Sequence, residues 1–294
     1  MFRNFQYIKE FYLSGISACL VFTLVSLLSC IPEPLEVKHT PTVKPEIVVA
    51  TQMLHDEMLV VLLTKTFGAL DASGDSDPLK LIEQIAVSDA VVSISGPEGS
   101  YQLEALGYGA YGGTLIPFKE GSMYELHVNS ASLGEVYASA RVLGKVEFNE
   151  ISADLYYDEN GDTLAHLTYS LSDPVENNWY MLGVQEINRE HIIHNLINPR
   201  AYTELFDDIN TLEQEEFLNQ YKVIPRVYDP GDTIIVSLSN ISKEYYEFMQ
   251  MRLDNRFSFI EFLGEPINYP SNVVGGKGFF NLNIPHYRVF VFDQ

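Results

Sequence analysis

"AHLTYSL", residues 165–171, alternates without a break: Ala165, Leu167, Tyr169 and Leu171 fall on one side, His166, Thr168 and Ser170 on the other. Successive side chains of an extended chain point to opposite faces, so this period of two marks a strand with one face buried. The pattern recurs. "TIIVSLS" places Ile234, Val236 and Leu238 inward, and "MYELHV" does the same with Tyr124, Leu126 and Val128. "RVFVF", 288–292, reads as a closing strand, and the apolar runs "EIVVA" and "MLVVLLT" read as central strands buried on both sides. Turn signals separate these runs at Gly96-Pro97, Asn160-Gly161 and Pro230-Gly231. Many short strands with regular turns point to antiparallel sandwiches rather than alternating βα units. The expected fold is all-β dominated: an N-terminal immunoglobulin-like β-sandwich over 46–147, then a second β-rich, sandwich-like domain over 148–294 with two or three short helices.

Helix signals are few. Thr211 to Gln214 fits a capping box ahead of an apolar Phe217, Leu218, Tyr221 face, which predicts a helix near 212–221 in a helix-rich insert at 186–222. Ser242 can cap a second helix near 243–253, with Tyr245, Phe248, Met249 and Leu253 at helical spacing. A short helix can follow Asp77-Pro78.

The first 45 residues have a different character. Arg3 and Lys9 precede Phe11–Leu28, 18 residues without a charge, and Leu27-Leu28-Ser29 leads into Cys30. Basic start, apolar run and small residue form a secretory signal. The last four residues resemble a bacterial lipobox, in which an aliphatic residue fills an apolar subsite, a small residue admits the peptidase, and the thiol carries the diacylglyceryl group. Residues 1–29 are therefore read as a lipoprotein signal peptide and Cys30 as the lipidation site. Cys19 leaves with the signal, so no disulfide is expected within the mature chain. Each buried CH₂ contributes about 0.8 kcal/mol, so two or more acyl chains anchor stably. Residues 30–45, with four prolines, read as a tether that holds the first domain off the bilayer. Glu33 and Glu36 close behind the anchor suit export to the cell surface.

The formal net charge is −22. Nucleic-acid binding needs clustered cations to displace counterions, and here they are scattered and outnumbered, so no nucleic acid is expected as a partner. The same charge opposes lying flat on anionic lipid.

Few motifs suggest chemistry. "YDENGDT" spaces Asp158, Asn160 and Asp162 like the start of a calcium loop, but Thr163 and Tyr169 stand where Gly and Glu are required. Asn160-Gly161 reads instead as a type I′ hairpin turn. "DASGDSD", 71–77, reads as a solvated loop, and His191 and His194 lack a third ligand. "VVGGKGFF", 273–280, has Ser271 and Gly278 where a phosphate loop needs Gly and Ser/Thr, so its glycines read as a tight bend. "GYGAYGG", 107–113, offers mobile backbone with aromatic faces, and Tyr108 and Tyr111 are the candidate contacts for a ligand or partner. No catalytic residue, metal site or cofactor is expected, and the chain is read as no enzyme.

The order of "PEIVVATQ", "VVLLTKT", "AVVSISGPEG", "FKEGSMYELHV", "YSLSDPVENNWYMLGV", "GDTIIVSLSNISKEYYEFM" and "PSNVVGGKGFF" behind the lipobox resembles a family of Bacteroidota lipoproteins known only as a domain of unknown function. The resemblance implies an outer-membrane lipoprotein often encoded beside a TonB-dependent transporter. It implies no known activity. The expected function is a lipid-anchored binding protein that captures a ligand for, or caps, such a transporter. The alternatives are a structural or adhesive surface lipoprotein and a hydrolase.

Overall fold

The computed structural model describes residues 44–54, 58–66, 78–171, 177–187, 201–208, 217–255 and 269–292. The described residues lie in one compact unit, Val43–Gln294. The predicted signal, Cys30 and the tether up to residue 43 lie outside them, as do 71–77 and His191 and His194.

The protein is dominated by β-structure, as its alternation predicts. Strands β1 (Ile47–Met53) and β2 (Leu59–Lys65) pair antiparallel, and helix α1 (Pro78–Ile85) follows. Then come β3 (Ala90–Gly96), β4 (Gly99–Gly107), β5 (Ala110–Gly112), β6 (Met123–Ser130) and β7 (Gly134–Arg141). Two very short strands from far along the chain, β14 (Val273–Val274) and β15 (Lys277–Gly278), complete a nine-stranded sheet in the order β14-β7-β6-β3-β4-β5-β2-β1-β15. The two ends of that list are neighbours in sequence. Val273 and Val274 pair with β7, and Lys277 and Gly278 pair parallel with β1, so a turn at Gly275-Gly276 joins the two edges of the sheet. A Cβ on Gly275 would stand 2.8 Å from Glu135 O of β7, and one on Gly276 2.5 Å from Ile47 O of β1. Only a chain without side chains passes that close to both edges. The sheet thus closes around one core that includes Val49, Leu63, Ile94, Leu126, Val136 and Phe280.

The central-strand expectation needs correcting for β1. It alternates buried Ile47 and Val49 with half-buried Val48 and Ala50, so one of its faces is covered by the core and the other is not. β2 is buried at three successive residues, Leu59, Val60 and Val61.

The chain changes core at Val146. β8 (Phe148–Tyr157), β9 (Thr163–Leu171) and β12 (Phe217–Val227) form one sheet. β10 (Trp179–Glu186), β11 (Ala201–Asp207), β13 (Thr233–Ile241) and β16 (His286–Val291) form another. Ala165, Leu167 and Leu171 of the first meet Leu182, Val184, Val236 and Leu238 of the second in one dry core, so the two sheets face each other. Ala165, Leu167, Leu171, Val236 and Leu238 are positions that the alternation assigned to the interior.

Of the helix predicted near 212–221, residues 212–216 lie outside the described residues, and 217–221 are not helical. Residues 217–221 belong to strand β12, paired with β9, and β11 also runs through the supposedly helix-rich insert. The second helix does form: α2 (Lys243–Asn255) starts on Ser242, whose Oγ accepts from Tyr245 N at 3.2 Å. Its Tyr245 and Phe248 pack with Phe279 and with half-buried Trp179, Met181 and Leu205.

Candidate functional site

The "GYGAYGG" stretch forms the hairpin between β4 and β5. Gly107 pairs with Ala110, leaving Tyr108-Gly109 as a two-residue turn. Both have positive φ, 52° and 77°, as a type I′ turn requires. Tyr108 is the single non-glycine residue with positive φ among the described residues. An L-residue pays about 1–2 kcal/mol for the left-handed region, which is why Asn and Gly usually occupy it. Gly109 has no alternative, since a Cβ there would lie 2.3 Å from Leu63 O, while its own carbonyl accepts from Leu63 N at 2.8 Å. The turn is therefore pinned to β2 and holds Tyr108 outward, 39% exposed, with Leu106 49% exposed beside it on β4. Leu106 leans across two glycines: a Cβ on Gly112 would come within 3.2 Å of its Cδ1.

Tyr111 does not join this surface, which corrects the sequence reading. It is 2% exposed, its hydroxyl donates to Val87 O at 2.9 Å, and the same oxygen accepts from Ala90 N at 3.2 Å. The two tyrosines look alike in sequence, but three residues apart in a tight hairpin they face opposite ways.

A second arrangement went unseen in the sequence. On β12 the inward positions are Lys222, Ile224 and Arg226, with Tyr228 following, so two cations enter the margin of the second sandwich. Lys222 Nζ donates to Glu204 Oε1 of β11 at 2.5 Å and lies 6.0 Å from the Tyr202 ring centre. Tyr202 donates to the other Glu204 oxygen at 3.3 Å. Burial, reinforced by the Glu204 charge, pushes the Tyr169 and Tyr202 hydroxyls above the ordinary phenol range. Burial would lower the Lys222 ammonium, but bonding to Glu204 and Tyr202 outweighs it and the net shift is upward. Tyr228 is pushed up to about 12 by burial, with Arg226 opposing and Glu186 and Asp232 adding. Every shift moves the group away from neutral pH, so this cluster ties β11 to β12 rather than exchanging protons. The signal was the alternation in "KVIPRVY", masked by the stronger capping-box pattern upstream.

The loop that spaces Asp158, Asn160 and Asp162 is a hairpin turn, though not type I′. Gly161 N donates to Asp158 O at 3.1 Å, and Gly161 has φ 84° while Asn160 has no positive φ. That is a type I turn followed by a left-handed glycine. Asp158 Oδ1 accepts from Asn160 N and Asp162 N, both at 2.8 Å, and these backbone bonds hold its carboxyl below the usual range. Among the described residues no group of His, Cys, Asp and Glu is arranged to hold a metal ion. No described helix is long and apolar enough to cross a membrane.

No curated protein matches this chain. The model of the DUF4249 family, a domain of unknown function, matches residues 32–282, which takes in the first core, the glycine-rich closing turn and the second core short of β16 and Phe292. The chain belongs to the DUF4249 family.

Proposed function

We propose that this chain is a lipid-anchored binding protein of the outer membrane, tethered through Cys30 and acting as an accessory to a TonB-dependent transporter. The observation that carries the binding part is Tyr108. An aromatic residue stands at a turn position where glycine or asparagine costs less, on a hairpin pinned to its sheet, with Tyr108 and Leu106 both partly exposed. Local strain of this kind concentrates where a surface makes contacts, and a rigid exposed tyrosine gives much contact area at small entropic cost. The anchoring part rests on the Leu27-Leu28-Ser29-Cys30 sequence and the proline-rich stretch behind it. Confinement to the membrane raises the effective concentration of the tip near an integral partner, so a modest contact suffices.

The test is a pull-down of the lipidated protein from outer membranes in mild detergent, with Cys30→Ser and Tyr108→Ala as comparisons. A TonB-dependent transporter recovered in near-equal amount, and lost with Tyr108→Ala, is the expected result. Recovery of the protein alone or with copies of itself overturns the transporter reading and favours an adhesive role.

A further inference from the structure

The outer face of β4, β3, β6, β7 and β14 carries a row of residues set side by side by strand register: Gln102, Ser93, His127, Tyr137 and Val274. At its centre Tyr137 stacks on His127, with ring centres 4.6 Å apart and planes 6° from parallel. The stack covers His127 Nε2, which is buried without a hydrogen-bond partner, yet Tyr137 itself stays 47% exposed. Its hydroxyl donates to Glu135 Oε2 at 2.6 Å, and Asn129 Nδ2 donates to Glu135 Oε1 at 3.2 Å. The ring is thus fixed from two sides, by the imidazole beneath and the carboxylate at its tip, while it faces water.

We infer that this face binds a neutral oligosaccharide, with Tyr137 as the stacking platform. A pyranose presents a face of C–H groups carrying partial positive charge, which suits the negative face of an aromatic ring. Its equatorial hydroxyls need donors and acceptors beyond that ring; Asn129 stands next to His127 on the same face of β6, and Ser93 and Gln102 continue the row two and three strands away, at roughly 4.8 Å per strand, as successive sugar units would require. The remaining chemistry excludes other ligands. An anion meets Glu125 and Glu135 on a chain of net charge −22. A cation finds both Glu135 oxygens already engaged and a single stack instead of a cage. A flat apolar partner finds the exposed aliphatics of these strands dispersed: Val91 pairs with Asn129, Met123 with Arg141 and Val274 with Tyr137, and Leu106 lies at the far end of β4. The inference adds a ligand class to the capture reading and stands without the transporter, since this face and the Tyr108 tip involve different residues.

The test is calorimetric titration of the lipidated chain, in a detergent without a sugar headgroup, with cello-, manno-, laminari- and maltohexaose. One of them binds with a dissociation constant below about 1 mM. Tyr137→Ala weakens it by roughly tenfold, Tyr137→Phe by less, and Tyr108→Ala leaves it unchanged. Thermal melts confirm that the Tyr137 variants stay folded. No binding by any of the four, or equal binding by Tyr137→Ala, overturns the inference, and neither result bears on the pull-down.

Discussion

Replacing Gly278 with alanine opens the first core. Gly278 sits at φ 95° in β15, and a Cβ built on it lies 2.0 Å from Val49 O, 2.8 Å from Val49 N and 2.9 Å from Val49 C. All three are backbone atoms of β1, so no rotamer change relieves the clash and the two strands must move apart by more than an ångström. The left-handed φ alone costs an alanine about 1–2 kcal/mol. Separation also breaks the 2.9 Å bond from Phe279 N to Val49 O, worth about 1 kcal/mol. It draws Phe280 and Leu282, both fully buried, part of the way out of the core, for roughly another 1–2 kcal/mol. The expected loss is about 3–5 kcal/mol, a large share of the roughly 5–15 kcal/mol that holds a folded protein together. Gly231→Ala is the matched control: its φ is 97°, but nothing lies within 4 Å of its Cβ position, so it pays about 1–2 kcal/mol of backbone strain and no more. Urea unfolding followed by circular dichroism measures both. Equal losses in the two variants would refute the claim that contact with β1, rather than φ, makes Gly278 indispensable.

Tyr111→Phe removes a buried hydroxyl that serves Val87 O and Ala90 N, and urea unfolding should show a loss of about 2 kcal/mol; a surface contact residue would show none. Tyr108→Asn keeps the turn but suits positive φ better, so the melting temperature should rise slightly, by the equivalent of about 0.5–1 kcal/mol, while transporter recovery in the pull-down falls. His286 accepts from Phe148 N through Nδ1 at 2.7 Å, and burial, then the charge of Arg288, holds its pKa below the usual value despite Glu147. The folded state therefore binds fewer protons than the unfolded one, so this contribution is present above about pH 6.5 and is lost as pH falls through the folded value. Stability measured from pH 7.5 to 5 should decline in the native chain and decline less in His286→Gln.

What the sequence discloses depends on the range of the interaction. Ala165, Leu167, Tyr169 and Leu171 are legible because strand alternation is local, and the structure buries all four. Ser242 is legible as a cap because its partner is three residues away. β12 is misread because a T-x-x-Q cap with acidic residues behind it resembles a helix start, while Pro225 sits within the strand itself. The structure resolves this through position. β12 is an edge strand, and its register slips between Ile224 and Val227, where a residue without an N–H leaves no gap in a ladder. Tyr111 is misread because the side on which a hairpin packs depends on β2, more than 45 residues upstream. The glycines of 275–278 read correctly as a bend, but their purpose depends on two edges, Glu135 and Ile47, that meet only in the folded chain.

That closing turn also determines how the two cores relate. After α2 the chain returns to the first core, where Asn272 brackets Phe280 with Oδ1 accepting from its N–H and Nδ2 donating to its C=O, both at 2.8 Å. Thr51 of β1 and Asn281 then bond reciprocally at 2.9 Å. Asn281 passes to Asn283 at 2.7 Å, and Asn283 to Ser239 of β13 at 2.7 Å. Within a few residues the backbone has left the first core by way of a chain of amides and reached the second, where it becomes β16. A strand edge in each core is therefore supplied by one short segment, and neither core is complete without it. β14 and β15 form the two edges of the first sheet, held by β7 and β1. The Tyr108 tip and the Tyr137 face both stand on that sheet, so its closure by the far end of the chain holds in place the two surfaces on which binding is proposed.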